Sequence, residues 1–139
     1  MKTQTLDMRL IRYLNLFGKI TGVNCKNCFS YNNLLFFAVP SALISRAIGK
    51  QGQNVKRISQ LLHKKIKIVS LPRNIEDVER FVSYIVEPNR FRRLEVSQDE
   101  IIISSNKQEK AALIGRNKTR LLELQKIVQE YFGKRLRIA

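Results

Sequence analysis

Ala47-Ile48-Gly49-Lys50-Gln51-Gly52-Gln53-Asn54 places two glycines three residues apart, between two segments of helical periodicity, in a chain with only six glycines. One glycine is enough to turn a corner between helices, because glycine enters the left-handed region without steric cost. The second removes another side chain beside the N-terminus of the following helix. There, free N–H groups and the positive end of the helix dipole favour an anion. Lys50 lies between the glycines, and Arg46, Lys56 and Arg57 surround them. Together these residues predict a clamp for a phosphate backbone, with flanking apolar residues forming a shallow groove on which bases lie.

Working outward, Leu43, Ile44, Ala47 and Ile48 fall on one side of a short helix that Ser41 can cap and Gly49 ends. Val55, Ile58, Leu61 and Leu62 form the stripe of the next helix, and His63 is expected at the surface or at a helix end. Ile66, Ile68 and Leu71 alternate with polar residues, as in a strand closed by Pro72. Upstream, Leu6, Leu10, Tyr13, Leu14 and Phe17 predict a helix ending at Gly18. Two strands should follow, joined near Tyr31-Asn32-Asn33, the second being the buried run Leu34 to Val39. Phe29, Tyr31, Phe36 and Phe37 read as packing residues more than as base-stacking platforms.

The second half repeats this order. Ile75, Val78, Phe81, Val82 and Ile85 predict a helix, and Glu87-Pro88-Asn89 a break. Phe91 to Val96 and Ile101 to Ile103 predict strands around Gln98-Asp99. Ala111 and Ile114 belong to a short helix, Leu121, Leu124, Ile127, Val128 and Tyr131 to a longer one, and Leu136 and Ile138 to a last strand. Placing Gly49 on Gly115 sets an offset of 66 residues, which brings Val55, Ile58, Leu61 and Leu62 opposite Leu121, Leu124, Ile127 and Val128. Two copies of one unit therefore account for the chain.

The 139 residues are 44% apolar, too apolar for a disordered chain, and carry 26 Lys and Arg against 11 Asp and Glu, a net charge of +15. A field of that sign favours a polyanion, with nucleic acid first and an anionic membrane second. No apolar run approaches a membrane span and no signal peptide is evident, so a cytoplasmic protein is expected.

Cys25 and Cys28 form a lone CxxC with a single histidine, His63, elsewhere. One chain therefore cannot easily complete a four-ligand zinc site, although two chains could share a metal. A redox or disulfide role is the other alternative, and small apolar residues in or near a strand are the preferred reading. No Ser/His/Asp set and no GxxxxGK loop is present, so neither an enzyme nor a cofactor is expected.

Ile48-Gly49-Lys50-Gln51-Gly52-Gln53-Asn54-Val55 resembles the IGxxGxxI signature of KH domains, whose GxxG loop holds the backbone of single-stranded nucleotides. Helix and strands precede each corner, and the chain stops after the strand that follows the second. This looks like the prokaryotic, type II arrangement. Two such units resemble the archaeal NusA-like transcription factors, as does the ending Glu130-Tyr131-Phe132-Gly133.

The resemblance implies an α/β (α+β) fold of two tandem type II KH domains, 1–72 and 73–139, each a small three-stranded sheet packed on three helices. It implies a monomer that binds single-stranded RNA in transcription elongation or termination, with RNA polymerase as a further partner and no membrane. The alternative is an interaction protein of a ribosome assembly or of the polymerase, with RNA contact secondary. The RNA-binding positions are then Gly49, Lys50, Gln51, Gly52, Gln53 and Asn54 of the motif, Arg46, Lys56 and Arg57 by their charge around it, and Gly115, Arg116, Asn117 and Lys118 in the second unit. Lys118 departs from the motif. It stands where the closing glycine belongs, so the second corner is expected to assist by charge more than to clamp.

Overall fold

In a computed structural model the chain is described over residues 8–139. The expected helix position Leu6 lies outside these residues. The chain divides into two compact units, Met1–Leu71 and Pro72–Ala139. The first contains α1 (Met8–Thr21), β1 (Asn27–Tyr31), β2 (Leu34–Val39), α2 (Ile44–Ile48), α3 (Gln53–Leu62) and β3 (Lys65–Ser70). The second contains α4 (Val78–Val86), β4 (Arg93–Val96), β5 (Glu100–Ser104), α5 (Lys107–Ile114), α6 (Thr119–Phe132) and β6 (Arg135–Ile138). Both follow one order, helix-strand-strand-helix-helix-strand, in a mixed α/β fold with one three-stranded sheet each.

In each sheet the first two strands pair antiparallel and the third adds parallel to the second. The β1–β2 hairpin turns on Asn32 and Asn33 at φ 51° and 64°, the pair of left-handed residues that a two-residue hairpin of type I′ requires and that asparagine tolerates. A parallel third strand cannot be reached by a hairpin, so the chain must cross over, and the crossover is the helix-corner-helix containing the glycines.

Burial explains the alternation. Leu35, Phe37 and Val39 of β2 join Phe17 of α1, Ala47 of α2, Ile58 of α3 and Ile66 and Ile68 of β3 in one core, and Phe17 stacks on Phe37 with ring centroids 4.4 Å apart. Phe36, on the opposite face of the strand, stacks on Phe29 at 5.1 Å and is fully buried as well. All four aromatics of these strands are thus packing residues, as expected. In the second unit Phe81 meets Tyr131 and Phe132 at 5.0 and 5.8 Å, and Val82, Ile85, Ile101, Ile103, Leu113, Leu124 and Val128 are fully or almost fully buried.

Several local expectations are corrected. α1 runs through Gly18 and ends at Gly22, because Thr21 folds its hydroxyl back onto Phe17 O at 2.7 Å and Gly22 takes the left-handed exit. Ser41 lies in a 3₁₀ turn, Ser41–Leu43, and no side chain caps α2 at Leu43. Leu61 is 53% exposed despite its place in the stripe, whereas Ile127, opposite it in the repeat, is buried. β4 begins at Arg93, two residues later than expected, although Arg92 N–H still donates to Ser104 O.

Both cysteines are buried and neither forms a disulfide. Cys25 Sγ lies 3.2 Å from both Asn27 O and Ala38 O, and burial pushes its thiol pKa up. Among the described residues no group of three metal-ligating side chains occurs. Because the thiolate is the reacting species, Cys25 should be labelled by iodoacetamide at neutral pH far more slowly than in the urea-unfolded chain. Equal rates would contradict the packing role.

Away from the corners, acids serve the helix starts. Asn106 caps α5 by accepting from Glu109 N at 2.7 Å, and Glu109 Oε1 accepts from Asn106 N and Arg92 Nε. These bonds hold the Glu109 carboxyl below its ordinary range, and the bond from Arg73 N does the same for Asp77. Both groups bind protons less readily folded than unfolded. Their stabilisation is therefore present above the unfolded values of 4.5 and 3.8 and is lost as pH falls through the lower folded ones. In acid-unfolding curves followed by circular dichroism, Glu109→Gln should flatten this decline.

Candidate nucleic-acid interface

Each crossover contains the same corner. Gly49 has φ 81° and ψ 170°, and Gly115 has φ 75° and ψ 172°. Gln51 and Asn117 both sit at φ 57° and ψ 27°. Gly52 at φ 72°, ψ 19° is matched by Lys118 at φ 61°, ψ 22°. The backbone is thus duplicated although the sequence is not.

The two glycine positions differ in kind. The first lies in a region, positive φ with ψ near 180°, that only glycine occupies at reasonable cost. It is also crowded: a Cβ on Gly49 would come within 2.8 Å of Asn54 Cγ, and one on Gly115 within 3.0 Å of Arg120 Cγ. The second lies in the left-handed helical region, which costs other residues about 1–2 kcal/mol. A Cβ on Gly52 would meet nothing within 4 Å. This is the physical reason that the first glycine occurs in both corners while the second is replaced by Lys118 in one. The lysine side chain leaves into open space.

Hydrogen bonding narrows what the corner offers. Gly49 N–H donates to Ser45 O at 3.0 Å, Gly52 N–H to Gly49 O at 3.1 Å, and Gln53 N–H to Lys50 O. Of the α3 amides expected to be free, that of Gln53 is thus engaged by the corner itself. Lys50 and Gln51 form its exposed tip, and Gln53 opens α3, which has no capping side chain and no acid in its first turn. α6 likewise begins without a side-chain cap or an acid, in contrast to the Asn106–Glu109 box of α5.

The remaining expected residues take separate places. Lys56 and Arg57 are exposed on α3. Arg46 is exposed on α2, with its guanidinium 3.6 Å from where a Cβ of Gly22 would stand, over the negative end of the α1 dipole. Asn54 turns inward and donates from Nδ2 to Arg46 O at 3.3 Å. Arg116, Asn117 and Lys118 are exposed around the second corner. His63 is the exposed left-handed residue that ends α3.

Two features were missed. Residues 8–71 contain eleven Lys and Arg and not one Asp or Glu, so no cation there has a carboxylate within that span to pair with. Counting charge over the halves separately would have found it. In the second unit, an open groove of about 520 Å³ runs between α6 and the sheet-edge strand β6, lined by Leu121, Gln125, Gln129, Leu136 and Ile138 with Arg135, Arg137 and Glu100, the last two paired at 3.4 Å. It begins three residues after Lys118, beside the second corner, whereas the shallow groove was expected beside the first.

Among the described residues no helix is long and apolar enough to cross a membrane. No protein-family model matches the chain. A protein of Halococcus morrhuae described as "Probable transcription termination protein NusA" is 24% identical over 131 residues, covering 92% of both chains. The protein of the same description from Methanococcus vannielii is 35% identical over 83 residues, which is 60% of this chain and 46% of that protein, so the match spans less than half of it. The crystal structure of APE1850 superposes with a TM-score of 0.65 at 26% identity, covering 96% of this chain and all of the other. The chain thus shares its mixed α/β fold with a solved protein and is distantly similar to archaeal NusA-like proteins.

Proposed function

We propose that the chain is a non-catalytic single-stranded RNA-binding protein of transcription elongation or termination, built from two type II KH domains, 1–72 and 73–139. RNA backbone lies against the first corner, where Lys50 meets phosphate and the absent side chain of Gly52 lets the strand approach. Lys56 and Arg57 extend the basic surface along α3. The second unit contributes Arg116 and Lys118 by charge and the α6–β6 groove as a place for bases. RNA polymerase is the further partner that a role in transcription requires.

The observation that carries this reading is an exposed corner with empty space beside Gly52, on a unit whose described residues hold no carboxylate. Among residues 8–71 a polyanion meets no carboxylate to repel it. The relatives' shared description supports the transcriptional setting.

Fluorescence anisotropy with matched single-stranded RNA and DNA across a salt series tests the binding. Affinity for RNA should fall linearly in log–log form with a slope of about −0.7 per phosphate contacted, and RNA should be preferred through its 2′-hydroxyl. A flat salt profile would reject the reading. A change in the fraction of transcripts ending at a terminator, with purified polymerase and the chain added, tests the process.

A further inference from the structure

The two corners share a cross-link that the function above does not use. Asn54 Nδ2 donates to Arg46 O, and Arg120 Nη1 donates to Ala112 O at 2.8 Å. Both bonds span eight residues, from the second position of the later helix to the third-last residue of the earlier one. That carbonyl belongs to the last turn of a helix, where no intrahelical donor remains. In both corners the same side chain fills the volume that a Cβ on the first glycine would need. An uncharged amide and a guanidinium have little in common except a donor that reaches this far. What the two units share is therefore the tie itself.

We propose that Asn54 and Arg120 are positioning residues: each ties the second helix of its corner back to the first, over the glycine, and so fixes the tip presented to RNA. On this account Asn54 does not touch the ligand. Gly49 and Gly115 are seats for the tie, and the ligand-facing positions are residues 50 to 53 and 116 to 119. The part concerning RNA rests on the function proposed above, whereas the part concerning the corner does not.

Amide hydrogen exchange of the free protein reads the corner directly, at Gly49 N–H and Gly52 N–H. Asn54→Ala should speed both by about fivefold, the scale of one net hydrogen bond, while amides in β2 stay unchanged. Asn54→Ser serves if the alanine variant misfolds. Arg120→Met, which keeps the covering stem and loses the donor, should act likewise on Gly115 and Lys118. Unchanged exchange at all four amides overturns the proposal.

Binding of a single-stranded RNA oligonucleotide then separates positioning from contact. Asn54→Ala should weaken it roughly threefold to tenfold, and Lys50→Ala added to it should cost less than it does in the unaltered chain, because the lysine is already misplaced. Strictly multiplicative losses would mean that Asn54 contacts RNA independently and would overturn the positioning role. If the unaltered chain binds no RNA, the function fails while the exchange result still decides the tie. If RNA binds and exchange is unmoved, the tie fails alone.

Discussion

Lys50→Asp combined with Gln51→Asp should weaken single-stranded RNA binding about a hundredfold, or roughly 3 kcal/mol, with the unfolding midpoint nearly unchanged. Both side chains are exposed at the tip of the corner, and no described contact of the fold depends on them. Removing the ammonium eliminates one phosphate contact worth about 1 kcal/mol, and each new carboxylate facing the strand costs a similar amount. The salt slope should become shallower by about 0.7 for the lost contact. Filter binding at two salt concentrations, with circular dichroism melts of the same samples, checks both halves. Binding that survives the double substitution would place the RNA elsewhere and would favour a docking role with RNA contact secondary.

The second large effect concerns the glycines and is opposite in kind, changing folding more than charge. Gly49→Ala should destabilise the first unit by about 3–5 kcal/mol, since it combines a backbone region closed to side chains with a Cβ 2.8 Å from Asn54 Cγ. Gly115→Ala should do nearly the same in the second unit, where Arg120 can yield somewhat. Gly52→Lys, by contrast, should cost only about 1 kcal/mol, because the left-handed helical region accepts it and nothing stands in its way. Lys118→Gly should return about that much to the second unit. Urea unfolding monitored separately for the two units would measure all four. Equal costs at positions 49 and 52 would show that the backbone classes assigned here do not govern the corner.

Much of this was legible in the sequence, for reasons that differ by element. The run Leu34 to Val39 is apolar on both faces of the strand, so it reads as buried without reference to its partners. Asn32-Asn33 identifies its own turn, because few other residues accept two consecutive positive φ angles. The end of α1 was not legible. Gly18 has the composition of a helix stop, but Thr21 bonding back to Phe17 carries the helix one more turn. The exposure of Leu61 was hidden too, since periodicity locates a face and does not say how wide the covering element is.

At the corner, the sequence identified where the residues are and missed how they divide the work. GxxG reads as two equal glycines. The dihedral angles separate them into one that no side chain can replace and one that Lys118 does replace. Asn54 reads as a polar member of a binding surface, and Arg120 is one more cation near the second corner. Their acceptors, eight residues earlier, become visible only once the two helices are folded against each other. The lack of Asp and Glu in residues 8–71 was present in the sequence throughout and is lost when charge is summed over the whole chain.

The most direct test is a titration of the ¹⁵N-labelled chain with a short single-stranded RNA, following every backbone amide. The largest shifts should fall on Lys50, Gln51, Gly52 and Gln53, with smaller ones along α3 at Lys56 and Arg57. Shifts confined to another surface, with the amides of residues 49 to 54 unmoved, would contradict the account.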